Sequence, residues 1–177
     1  MRSLRTVFVF ATIAATFVAG CKPASKQPAP KTEASQASKP SYPARPSIAA
    51  PSFKVFHQTP LAFTLVTKPN ATDDEIAAMI WQLRDAAHTG TFDKLHISQK
   101  AVDKRDPNIG FNIYRGDKCA SEKFADKPPC GTSYHAAGDY TFGSYRQKDW
   151  DDGRLLHADG TSTELWDPNA AYIAPTK

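Results

Sequence analysis

The sequence lacks most of the short patterns that announce a chemistry. It has no Gly-rich phosphate loop, no Gly-x-Ser-x-Gly nucleophile elbow and no paired glutamates on a credible catalytic scaffold. Its five histidines, at positions 57, 88, 96, 135 and 157, form neither a His-x-His nor an i, i+4 pair. A zinc site would therefore need convergence from distant parts of the chain. No repeat of 20–50 residues is visible, which argues against a solenoid or propeller. Cationic excess is also missing where it would count. The whole chain carries 22 Lys+Arg against 18 Asp+Glu, but residues 53–177 carry only 15 against 17. A nucleic-acid footprint needs basic residues clustered on a folded face, so nucleic acid is excluded as a partner.

What is present begins at the N-terminus. Arg2 and Arg5 precede the uncharged stretch Val7–Val18, whose 12 residues fall short of the ~20 that span a bilayer and match the apolar region of a secretory signal. Small residues follow, and then a thiol: Val18-Ala19-Gly20-Cys21. This stretch resembles the lipobox of bacterial lipoproteins. The resemblance covers the first 21 residues alone, and no family is recognised for the rest. It implies that residues 1–20 are a signal peptide and that Cys21 becomes a lipidated N-terminus bearing a diacylglycerol thioether and an N-acyl chain such as palmitate. Several acyl chains, at about 0.8 kcal/mol per buried methylene, anchor a domain firmly to a lipid bilayer. Lys22, rather than Asp, after that cysteine implies the outer membrane, with the domain facing the periplasm.

Residues 21–52 change character. From 22 to 52 there are seven Pro, seven Ala and six Ser, with almost no large apolar side chain. Such a composition cannot bury enough surface to offset its ordering entropy, and it reads as a disordered tether. Its Lys residues would touch anionic headgroups weakly. Residues 53–177 form a single domain, long enough for one core.

Within that domain, Phe53–His57 and Leu61–Thr67 alternate as strands. Thr72-Asp-Asp-Glu75 is a capping box, and Ile76, Met79, Ile80, Leu83 and Ala87 then share one helical face, ended by Gly90. Asp93–Ile97 is expected to be a short strand, Ser98–Arg105 a short helix, and Ile109–Arg115 and Tyr134–Tyr145 strands. Asp159-Gly160 joins Arg154–Ala158 to Thr161–Trp166 as a hairpin, with a type I′ turn expected. The sum is an α+β fold: a mostly antiparallel sheet with one main amphipathic helix on one face.

Several residues are candidates for function. With Cys21 acylated, Cys119 and Cys130 remain, bracketing a turn-rich loop. In an oxidising compartment they read as a disulfide that leaves no free thiol. Cys130 with His135 as its base is the rival, nucleophilic reading. His135 and Asp139 lie four apart, on one face of a strand, and are the candidate acid–base pair. Asp149-Trp-Asp-Asp-Gly153 is expected to be an acidic β-turn rather than a calcium loop. Tyr140, Tyr145, Arg146 and Trp150 make up a candidate aromatic–basic binding patch. No cofactor or metal is implied. The preferred reading is a non-enzymatic module that binds a periplasmic protein or the cell wall, of hydrolase-inhibitor or immunity type. The alternative is an enzyme acting on peptidoglycan or another envelope substrate.

Overall fold

The computed structural model describes residues 41–104, 108–121, 136–145 and 148–175. The chain divides into two units, Met1–Ser38 and Lys39–Lys177, and every described residue lies in the second. Its elements are β1 (Phe53–Gln58), β2 (Ala62–Thr67), α1 (Asp73–Thr89), a 3₁₀ turn (Phe92–Leu95), α2 (Gln99–Asp103), β3 (Asn108–Arg115), α3 (Asp117–Ala120), β4 (Gly138–Tyr145), β5 (Lys148–Leu156) and β6 (Ser162–Glu164). The strands form one open six-stranded sheet in sequence order. Neighbours are antiparallel except β2 and β3, which run parallel because α1 carries the chain back between them. The fold is α+β. Among the described residues, no helix is long and apolar enough to cross a membrane.

α1 begins where its caps dictate. Thr72 accepts from the Glu75 amide at 3.2 Å, and the Glu75 carboxylate accepts from the Thr72 amide at 2.8 Å. Gly90 closes the helix in the left-handed conformation. Ile76, Met79, Ile80 and Leu83 are wholly buried against the sheet. Full burial of such side chains stabilises by roughly 1.5–3 kcal/mol each.

Cross-strand register arranges the helix-bearing face in rows. Leu65, Ile113, Gly138 and Leu155 form one. Phe63, Phe111, Tyr140 and Gly153 form the next, and the first three rings stack at 5.5 and 5.9 Å between centroids. Ile109, Phe142 and Asp151 form the third. Phe92 covers the second row, stacked 5.2 Å from Phe111. At Gly153 the row has no side chain of its own, and the Trp166 ring lies there instead. A Cβ on Gly153 would fall 2.1 Å from that ring.

Three local expectations are corrected. Asp93–Ile97 is not a strand: the burial of Phe92 and the Ile97 amide bonded back to Phe92 O at 3.2 Å wind it into a 3₁₀ turn. Asp149–Gly153 is not a turn, since it pairs residue by residue with β4 inside β5. The Asp159-Gly160 hairpin forms, but with another turn. Gly160 alone takes positive φ (85°), and its amide bonds to His157 O at 3.0 Å. That is a type I turn with a glycine bulge. The strand expected over Tyr134–Tyr145 starts at Gly138 in the described residues.

Residues 41–52, tether-like in composition, also make contacts in the structure. Ala50 packs against the core, and Ser52 O accepts from Thr67 Oγ1 at 2.9 Å.

Gly153→Ala is expected to push Trp166 out of its row and to cost about 1–3 kcal/mol. The check is chemical denaturation with tryptophan fluorescence, reading a lower midpoint and a red-shifted native spectrum.

Candidate functional site

Asp151 is a carboxylate in a core-facing position, in the same row as Ile109 and Phe142. An isolated charge there would be costly. Arg84 answers it from α1. Arg84 is 4 % exposed. Its Nε donates to Asp151 Oδ2 at 3.0 Å and its Nη2 to the same oxygen at 2.7 Å. The guanidinium lies 4.2 Å from the Trp166 ring, 5.2 Å from Trp81 and 5.5 Å from Tyr172, an aromatic enclosure suited to a desolvated cation. Asp151 also accepts from Tyr140 Oη at 3.2 Å and lies 3.1 Å from His88 Nε2. Burial, and then the charge of Asp151, pushes the Tyr140 phenol far above its ordinary pKa, so Tyr140 stays a donor.

The network continues outward. His88 stacks face to face on Tyr172 at 4.1 Å. Tyr172 Oη donates to Asp85 Oδ1 at 3.0 Å, and Arg45 forks onto the same carboxylate. His88 thus lies one helical turn beyond both Arg84 (i, i+4) and Asp85 (i, i+3), and links the two. Chemically, Asp151 is saturated with donors. They hold the carboxylate in one place.

The opposite face of the sheet holds Asp139, across from Arg154 in the β4–β5 register. Arg154 Nε donates to its Oδ1 at 3.2 Å. Burial raises the Asp139 pKa, and the charge and hydrogen bond of Arg154 offset this only in part. A cavity of about 180 Å³ lies nearby, lined by Trp150, Asp152, Arg154, Glu164, Trp166 and Pro168, together with Gly153.

A larger, open groove of about 420 Å³ runs between β1 and the segment after the 3₁₀ turn, lined by Val55, Phe56, His57, Gln58 and Phe63 on one side and His96, Ile97 and Ser98 on the other. β1 is an edge strand. Val55, Phe56 and Leu61 on this hairpin are 37, 41 and 66 % exposed, an unusual concentration of large apolar groups. A bulge breaks the register between Val55 and His57.

The residues expected from sequence are thus dispersed. Asp139 is buried and paired, while His135 lies outside the described residues. Tyr140 is wholly buried, because its ring belongs to the central aromatic row, so it cannot serve in a surface patch. Trp150 is half-buried beside the small cavity. Tyr145 ends β4 with its side chain outside the described set, as Arg146 is entirely. Cys119 sits half-buried in α3; Cys21 and Cys130 lie outside the described residues. Sequence reasoning missed Arg84, Asp151 as its partner, and the β1 groove. Among the described residues, no group of three or more His, Cys, Asp or Glu could hold a metal ion.

No family model matches the chain, and no match was found among curated proteins or solved structures.

Asp151→Ala is expected to lose about 3–5 kcal/mol, because it strands a buried guanidinium. The double change Arg84→Met with Asp151→Leu should lose markedly less, and denaturant midpoints of the three proteins check this. Asp139 gives a pH signature. Its raised native pKa means that the unfolded chain ionises first, so this group's contribution is full below the unfolded pKa and declines as pH rises through the native value. The stability of Asp139→Asn relative to wild type should therefore climb across that window, as read from paired melts at pH 3 to 7. The pairing isolates Asp139 from Glu75 and Asp159, whose lowered pKa values act in the opposite direction.

Proposed function

We propose that this chain is a lipid-anchored envelope protein whose domain binds a periplasmic protein through the β1 edge. The observation that carries the reading is the coincidence, on one strand, of an open sheet edge, exposed Val55 and Phe56, and the adjoining groove. An edge strand offers unpaired backbone groups to an extended partner segment, and an apolar groove beside it takes the partner's side chains. Lys54 and the bulge temper the same edge against indiscriminate pairing. The anchor is Cys21 after Val18-Ala19-Gly20, held at the outer membrane and facing the periplasm. A Cys119–Cys130 disulfide belongs to the same proposal, since that compartment oxidises thiols.

Two groups that an enzymatic reading would use are already committed: Asp139 to Arg154, and Asp151 to its several donors. A non-catalytic module accords better with such arrangements.

The test uses the full chain in bacterial cells. Radiolabelled palmitate should enter the wild type and not Cys21→Ser. A photo-crosslinking residue at Phe56 should capture one discrete envelope protein, and Val55→Asp in the same chain should abolish the adduct. Capture of peptidoglycan instead would move the partner to the wall. Absence of any adduct at Phe56 would remove the edge from the proposal.

A further inference from the structure

The segment before β1 crosses the domain. Tyr42 is half-buried, and the run starts on the β6 side of the helix layer, because the Trp81 ring that Arg45 meets lies 4.6 Å from Trp166, two residues beyond β6. Arg45 then reaches α1. Its Nη1 donates to Asp85 Oδ1 at 3.1 Å, its Nη2 bonds the other carboxylate oxygen, and its guanidinium lies 5.1 Å from the Trp81 ring. Ala50 packs on the core, and Ser52 is held by Thr67 near β1. Residues 42–52 therefore traverse the helix-bearing layer from one sheet edge toward the other. Five strand spacings of ~4.8 Å amount to about 24 Å, which ten extended residues at ~3.3 Å can cover.

Little else holds this run. Among the described residues, no backbone–backbone hydrogen bond involves 42–51. Arg45 is its one charged residue, and Pro43, Pro46 and Pro51 keep it extended beforehand. Its receptor survives without it, because Asp85 keeps its bond from Tyr172. The ion pair is part-exposed, at 36 and 22 % for the two side chains, and hence open to screening by salt.

We propose that residues 42–52 form a belt latched by Arg45, and that the latch selects between two exit points for the N-terminal segment. Closed, the chain leaves the domain beside β6, at the sheet edge opposite β1. Open, it leaves beside β1, gaining about 30 Å of reach at ~3.3 Å per residue. The anchored-module reading supplies the meaning of that change in reach; the latch itself does not depend on it.

The experiment measures the distance between spin labels at Ser41 and Asn169, introduced by non-thiol chemistry into the full chain carrying Cys21→Ser, which keeps acylation out of the result. Wild type should give a short, narrow distribution. Arg45→Ala should give a broad one, with displacements on the order of 15–20 Å for a freed coil of ten residues. Circular dichroism should show the fold unchanged. Asp85→Asn, which retains an acceptor for Tyr172, should give the same release, and about 1 M salt should broaden the wild-type distribution toward it. A distribution unmoved by Arg45→Ala or Asp85→Asn would overturn the latch, whatever the outcome of the palmitate experiment.

Discussion

A single carboxylate on the wrong side of a sheet organises this domain. Asp151 points into the layer that α1 covers, where a charge is tolerated only with partners. Arg84 must therefore be buried, and a buried guanidinium requires flat surfaces around it, supplied by Trp81, Trp166 and Tyr172. Tyr172 fixes Asp85 and His88, and Asp85 fixes Arg45. The helix, two strands and the C-terminal segment meet one charge pair, and the belt joins it through Asp85. Replacing such a pair with apolar residues is often neutral for stability. Its value here is positional, because two segments without regular structure, the C-terminal one and the belt, take their places from it.

The aromatic row is the complementary constraint. Phe63, Phe111 and Tyr140 come from three adjacent strands, two of them parallel, and their stack fixes the register across the middle of the sheet. Tyr140 joins the two systems: its ring closes the row and its hydroxyl reaches Asp151. Polar and apolar parts of the core are thus one structure rather than two neighbouring ones.

Sequence reasoning reached the parts governed by local physics. α1 was legible end to end, since its capping box, apolar stripe and terminal glycine all act within a few residues. The Asp159-Gly160 hairpin was legible as a hairpin but not in turn type, because a glycine bulge and a type I′ turn share one sequence signal. The first half of β5 was not legible. Its inward positions are Asp151 and Gly153, which break the alternation that marks a strand, and both make sense only through residues elsewhere. Arg84 was hidden for the same reason: beside Leu83 on a helix it reads as solvated, and its partner lies 67 residues on. The β1 groove needs two segments 40 residues apart, His57 and Ile97, to meet, which no spacing rule foresees.

The bare backbone at Gly153 has a consequence in the order of assembly. The ring that occupies it belongs to Trp166, 13 residues further along the chain. Until that indole arrives, the sheet face carries a hole and Arg84 lacks its nearest wall, so closing the hairpin at Asp159-Gly160 completes the core and the charge pair in one step.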